Sequence, residues 1–370
     1  MRTRTFIVPA AVAVLLLTGC SSGSDDKGAA TPAPASPKAT GAAPGATASG
    51  GSAAGAQRRG DGAELVYRAD GTRSAQNPAY APDGGSLLLT EFAEGYNKGA
   101  AALRTLPLAG GAAPATVLSD QDKTAVNLSG TSWSASAGAF TFASDREDGH
   151  DEVWLMKPGG APERVTRHDD DSGYDEPTFS PDGQWIVYQQ SWDAGNAADQ
   201  GDATASPAPS ETPQLDSLWK VPRGGGAPVK LVDGQATGTA NRQPNWSPKG
   251  DRIVFQRRAA NGENWALWTV NADGSGLRQI TEVPGDHTDP SWSPDGRRLV
   301  FSSTAGGLAN AQVFVVSADG GTPARVTNDG ASYDGAPSWS PDGKWIAFES
   351  SAGGADDHPA ALWRIAAPAQ

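Results

Sequence analysis

The chain has 370 residues, a net charge of −13 at neutral pH, 46 Gly, 28 Pro, 12 Trp and a single Cys. That much Gly and Pro beside so many aromatic residues argues for short strands joined by turns and against long helices, so an all-β protein is expected. The acidic balance argues against nucleic acid as a partner and against a polybasic membrane footprint, and one Cys leaves no disulfide within the chain.

Met1-Arg2-Thr3-Arg4 is basic, Phe6 to Leu17 is almost wholly apolar, and Thr18 and Gly19 are small. The apolar run is too short to span a bilayer comfortably and has the charged flank and small-residue exit of an export signal, so residues 1–19 read as a signal peptide. Leu17-Thr18-Gly19-Cys20 resembles the bacterial lipobox, whose Cys thiol takes a diacylglycerol before cleavage makes it the first residue. A lipoprotein is therefore expected, lipidated on Cys20 and anchored to the extracytoplasmic face of a cell membrane. Loss of Arg2 and Arg4 takes the net charge to −15. Residues 20–62 are Ala, Gly, Ser, Thr and Pro with few large apolar side chains; they cannot bury enough surface to offset chain entropy and read as a disordered tether.

From residue 63 onward one hairpin recurs. In Trp292-Ser293-Pro294-Asp295-Gly296, Pro294 presets φ for the first corner of a type I turn and Gly296 supplies the left-handed residue that follows. Copies centre on Tyr80, Trp133, Phe179, Trp246, Trp292 and Trp339, at intervals of 53, 46, 67, 46 and 47 residues. A strand-built repeat near that length is a propeller blade. Five and seven residues past the turn proline, or past Ala135 in the second copy, stand Leu87/Leu89, Phe140/Phe142, Ile186/Tyr188, Ile253/Phe255, Leu299/Phe301 and Ile346/Phe348. Such alternation marks second strands with one buried face.

Third strands follow at Leu103/Leu106, Val153-Trp154, Leu218-Trp219, Leu267-Trp268, Val313-Phe314 and Leu362-Trp363. Fourth strands end at Val117-Leu118, Val165-Thr166, Leu231-Val232, Ile280-Thr281 and Val326-Thr327, one too few. Tyr67 precedes Pro78 by the same 11 residues that separate Thr166 from Pro177. Residues 63–67 are therefore expected to complete the last blade and close the ring, leaving only short protected edges. The expected fold is a six-bladed β-propeller with four-stranded blades over residues 63–370. The polar, Pro-rich stretch 193–214 is expected to be a disordered insertion between two strands of blade three.

The hairpin P-x-W-S-P-D-G with its I-x-F strand, and Phe142-Ala143-Ser144-Asp145-Arg146 leading to Glu152-Val153-Trp154-Leu155-Met156-Lys157-Pro158-Gly159-Gly160, resemble the repeats of TolB-type (WD-repeat-like) β-propellers. The resemblance covers residues 63–370 and implies a TolB-like propeller. Nothing in this chain resembles the α/β domain that TolB carries ahead of its propeller. Similar propellers precede the hydrolase domain of prolyl-oligopeptidase-like peptidases or form oligogalacturonate lyases.

If the aromatic residue ending each first strand points between blades, alternation sends the residues one, three and five positions earlier toward the channel. Nearest are the small Ala79, Ser132, Thr178, Asn245, Ser291 and Ser338. Next come Asn77, Gly130, Glu176, Gln243, Asp289 and Ala336, and at the mouth Ala75, Leu128, Tyr174, Asn241, His287 and Asp334. A polar, acidic mouth of Tyr174, Glu176, Asn241, Gln243, His287, Asp289 and Asp334 is the candidate ligand site, suited to a cation or a peptide amino group. The run from His168 to Glu176 offers oxygens to a Ca2+ ion, though without EF-hand order. The six aromatics read as packing between blades.

Catalysis finds little support. G-x-S-x-G occurs only at Gly19 to Gly23, across the cleavage site, and the four histidines fall in separate blades without zinc spacing. The function expected is non-catalytic binding of a protein, peptide or glycan partner by a monomeric, membrane-anchored propeller. The alternative is a polysaccharide lyase or hydrolase-like enzyme working at the channel mouth, with His287 as its candidate base.

Overall fold

A computed structural model describes residues 57–119, 124–170, 172–192, 215–354 and 358–369. The signal peptide, Cys20, most of the expected tether and the stretch 193–214 lie outside the described residues.

Among the described residues 24 strands build six antiparallel sheets of four. β1 (Glu64–Tyr67) comes first. Blade one is β2 (Ser74–Tyr80), β3 (Ser86–Phe92), β4 (Ala101–Pro107) and β5 (Ala115–Leu118); blade two is β6 (Trp133–Ser134), β7 (Ala139–Ser144), β8 (Glu152–Met156) and β9 (Glu163–Arg164). Blade three is β10 (Gly173–Phe179), β11 (Trp185–Ser191), β12 (Ser217–Pro222) and β13 (Val229–Val232); blade four is β14 (Thr239–Trp246), β15 (Arg252–Ala259), β16 (Ala266–Asn271) and β17 (Arg278–Gln279). Blade five is β18 (His287–Trp292), β19 (Arg298–Ser303), β20 (Gln312–Ser317) and β21 (Ala324–Arg325); blade six is β22 (Ser332–Trp339), β23 (Trp345–Ala352) and β24 (Ala361–Ala366), completed by β1. The fold is the six-bladed propeller that the repeat predicts.

Each Ser-Pro-Asp-Gly turn is held by its serine as much as by its proline. In blade three, Ser180 Oγ donates to Asp182 Oδ1 (2.5 Å) and accepts from the Trp185 N–H (2.9 Å), while the Gln184 N–H donates to the same Asp182 oxygen (3.0 Å). Ser293 with Asp295 and Ser340 with Asp342 repeat the arrangement. The serine hydroxyl and backbone N–H groups favour the ionised aspartate, holding Asp182 and Asp295 below the usual carboxylate range and Asp342 at about 2.

Packing between blades follows a rule. The aromatic residue of one blade meets the residue six past the turn proline of the blade before: Trp339 packs with Val300, Trp292 with Val254, Trp246 with Val187, and Tyr80 with Ala347 across the closure. Burying these rings accounts for much of the inter-blade adhesion.

The outer strands are shorter than expected in blades two, four and five, at two residues each. Threonine explains the difference. Where a fourth strand was expected to end in Val-Thr or Ile-Thr, the hydroxyls of Thr166, Thr281 and Thr327 each accept a third-strand N–H, from Val153, Leu267 and Val313, all at 2.9 Å. A side chain thus replaces a backbone carbonyl in the ladder. Blades one and three end in Leu118 and Val232 and keep four-residue outer strands.

β1 pairs antiparallel with β24, with Leu65 opposite Trp363 and Glu64 opposite Arg364, whose guanidinium meets the Glu64 carboxylate at 2.9 Å. Residues 57–62, ahead of the expected closing strand, also contact the fold. Gln57 accepts from the Leu65 N–H (2.9 Å), and Arg59 is buried between blades five and six. The Arg59 guanidinium donates to Asp61 (2.7 Å), Asp334 (2.8 and 2.9 Å) and Ser350 (3.1 Å) and lies over the rings of Phe348 and Trp363. Burial disfavours its charge, but these acids outweigh burial and raise its pKa. Burial likewise raises Asp334 despite its partner.

Removing one member of a buried ion pair strands the other. Arg59→Ala is expected to cost about 3–5 kcal/mol of unfolding free energy in urea titration, and deletion of residues 57–67 to lower the melting temperature further. Unchanged stability in both would refute closure by this segment.

Candidate functional site

Each innermost strand changes phase partway along. In blade three Asp175 pairs with Gln189 but Thr178 pairs with Val187, so Glu176 and Pro177 oppose the single residue Tyr188. The same bulge appears in blades one, four, five and six. Its first residue is left-handed every time: Asn77, Glu176, Gln243, Asp289 and Ala336 have φ between 45° and 55°. The second is proline, which brings no N–H to a point where the ladder is interrupted. In blade two the pair is Gly130 (φ 90°) and Thr131, and the Asn245 side chain accepts the Thr131 N–H (3.1 Å).

The bulges turn a ring of side chains into a relay around the axis. Glu176 accepts from the Gln243 N–H (2.8 Å), Gln243 from the Asp289 N–H (2.7 Å), and Asp289 from the Ala336 N–H. Ala336 has no acceptor to pass on. Glu349 on β23 takes its place and accepts from the Asn77 N–H (2.9 Å). Asn77 in turn accepts from Asn127 Nδ2 (2.9 Å).

Above this ring lies a cavity, partly open to solvent, lined by Asp151, Asp175, Glu176, Asp289 and Glu349 with Gln76, Asn77, Gln243, Tyr96 and Tyr333. Among the described residues no Lys, Arg or His lines it. The structure places Glu176, Gln243 and Asp289 there, as the sequence reading does. The other four expected residues are elsewhere, because an extra residue in the strand reverses the alternation beyond it. Tyr174 stacks on His168 (ring centroids 4.2 Å) within the blade two and three core. Asn241 Nδ2 donates to Asp216 O (2.8 Å), and Asp334 is bound to Arg59. Both ring nitrogens of His287 are engaged, with Ser303 Oγ (2.8 Å) and Val283 O (2.9 Å), and burial lowers its pKa. His150 and His168, assigned by spacing to separate blades, meet at 5.4 Å because they flank the antiparallel third and fourth strands of blade two.

Three cavity residues had no signal in the repeat. Asp151 precedes β8 and Glu349 stands eight past a turn proline. Tyr96 tips a hairpin, residues 93–100, that only blade one uses to reach inward; its hydroxyl donates to Glu349 (2.6 Å), and Asn97 beside it exchanges hydrogen bonds with Gln76 (2.9 and 3.1 Å). Gly95, Asn97 and Gly99, all at positive φ, are the signal that could have marked this tight turn.

Below the ring Asn245 bridges blade four to blade two, through Thr131 and the Ser129 carbonyl (3.4 Å). A Cβ on Gly130 would lie 2.4 Å from Asn245 Oδ1 and 3.0 Å from Ser291 Oγ, which is why this blade has glycine there. Beyond this crossing a second, open hollow is lined by Tyr80, Trp133, Phe179, Trp246, Trp292, Trp339 and the turn prolines.

The cavity carboxylates resist ionisation. Burial first, then the charges of Asp175, Asp145 and Glu152, push Asp151 up to about 8. Burial with Asp175 pushes Glu176 to about 8, and burial takes Glu349 to about 7 against the pull of Tyr96 and the Asn77 N–H. Asp289 also moves up, through burial. Among the described residues no three or more His, Cys, Asp or Glu side chains are gathered to hold a metal ion, and in the acidic run Asp170 accepts instead from the Ser172 N–H (3.0 Å).

Residues 232–360 match the family model described as TolB beta propeller domain. Over those residues the chain is similar to TolB-type β-propellers. Solved structures that share this fold with it include TolB from Agrobacterium tumefaciens, at 20% identity and TM-score 0.53 over 82% of this chain and 93% of that one. Oligogalacturonate lyase from Vibrio parahaemolyticus aligns at 13% identity and TM-score 0.51 over 85% and 96%, and a gluconolactonase from Xanthomonas campestris at 13% and 0.55 over 84% and 91%. At these identities the likeness is one of fold. A search of curated proteins returned no match.

Groups whose carboxyl pKa rises on folding stabilise the folded state least when ionised. From Asp151, Glu176 and Glu349 the TolB-like propeller should lose stability as pH climbs from about 4, where the unfolded carboxyls ionise, to about 8, where the folded ones do. Differential scanning fluorimetry across that window should show the fall. Asp151→Asn, which keeps the shape and removes the charge, should raise the melting temperature by a few degrees at pH 8.5, by less at each step down, and leave it almost unchanged below about pH 4.

Proposed function

We propose that this protein is a lipid-anchored extracytoplasmic recognition module. A diacylglycerol on Cys20 would hold it to the cytoplasmic membrane or another envelope membrane, and the open end of its acidic cavity would bind a protein, peptide or glycan partner without catalysis. The observation that carries this reading is the composition of the cavity wall: among the described residues it holds five carboxyls, two tyrosines and amide side chains with no histidine, lysine or arginine, a one-sided polar surface suited to holding a complementary partner. His287, the one candidate base that the sequence offered at the mouth, is buried with both nitrogens occupied.

Two of the structural neighbours are named as enzymes, one of them acting on oligogalacturonate. A polyuronate would bring carboxylates to a wall of acids that already hinder one another's ionisation, with no Lys, Arg or His among the described lining residues to meet them, so electrostatics opposes that substrate here. The test combines capture and turnover. A photocrosslinking side chain at Asn97, on the cavity rim, should capture an envelope partner in cells, and Cys20→Ser should release the protein from the membrane fraction. New products from polyuronates, lactones or peptides incubated with the pure protein would overturn the non-catalytic reading.

A further inference from the structure

Resting on the cavity as a recognition pocket, we propose that the group it recognises is a primary ammonium, seated against Asp151 with Asp175 and Glu176 beside it. Asp151 is 6% exposed and lines the cavity, yet its side chain has no hydrogen-bond or ion-pair partner among the described residues. Such a group is costly to leave buried, and its cavity is where a partner must come from. The charged groups acting on it are Asp175 on β10, Asp145 after β7 and Glu152 on β8, all acids. Glu176 accepts a single backbone N–H. Arg242 acts on Asp175 and Glu176, but its Nε donates to Asp216 (2.5 Å) and it does not line the cavity.

None of the described residues lining the cavity offers Asp151 a positive charge with several N–H donors. A primary ammonium brings one charge and three donors. A quaternary cation has no N–H, and a bare metal ion finds no group of three His, Cys, Asp or Glu ligands among the described residues. Val126, Leu128 and Ala143 line the same cavity and suit the methylenes of an alkyl stem. Binding exchanges one cation for another: near pH 7 the free Asp151 holds a proton, and the incoming ammonium takes its place while that proton passes to the buffer.

The test is calorimetric titration of the full mature chain with n-butylamine at pH 7, in two buffers of different ionisation enthalpy, against 1-butanol, tetramethylammonium and calcium chloride. Butylamine should bind with proton release, and the three controls at least tenfold more weakly. Asp151→Asn should weaken butylamine at least tenfold and Glu176→Gln several-fold, in proteins whose melting curves show them folded. Equal binding of butanol or tetramethylammonium, tighter binding of calcium, no heat with butylamine, or full affinity in Asp151→Asn would overturn the ammonium assignment. Capture of a partner from Asn97 would survive any of those results, so the two readings fail separately.

Discussion

The structure depends on one backbone constraint: five of the six innermost strands admit a left-handed non-glycine residue partway along, a conformation its side chain makes unfavourable, and blade two has the left-handed Gly130 just ahead of its own. Left-handed φ in non-glycine residues costs of order 1 kcal/mol or more each, and persists only where the surroundings over-determine it. Here the surroundings are the relay itself. Four of the five strained residues, Asn77, Gln243, Asp289 and Ala336, aim their N–H at an acceptor from the neighbouring blade, as Gln243 does toward Glu176 and Asp289 toward Gln243. The strain is spent on bringing the backbone donors of one sheet within reach of the next, which is how separate sheets become a ring.

The fold was legible because its signals are periodic. Alternation at Leu87/Leu89 or Ile346/Phe348 gives the second strands, the Pro-Asp-Gly turns give the hairpins, and the spacing of Tyr67 to Pro78 gives the closing strand. The site was only half legible, for a reason of the same kind. Alternation is a counting argument, and a bulge miscounts it, so Glu176, Gln243 and Asp289 were placed correctly while Tyr174, Asn241, His287 and Asp334 beyond the bulge were sent to the wrong side. Proline five times in register, after a polar residue in four of them, was the available hint. Other features belong to one blade only and leave no periodic trace: the inward hairpin of Tyr96, the substitution of Glu349 for a missing Ala336 acceptor, and Arg59 ahead of the first strand.

Acidity has two different meanings in this molecule. At the turns, Asp182, Asp295 and Asp342 are exposed or nearly so, satisfied by a serine hydroxyl and backbone N–H groups, and easily ionised. Around the cavity, carboxylates of the same type are dry, crowded by one another and hard to ionise. The first set stabilises the scaffold. The second works against it, and a fold that tolerates such a set concentrates its unmet electrostatic demand in one place.

The side chain of Asn245, spanning from blade four to blade two, ties together blades that are not neighbours in the ring, between a hollow walled by acids and a hollow walled by aromatic rings and prolines. The two ends of the axis therefore present opposite chemistries, and a visitor suited to one finds little to hold it at the other.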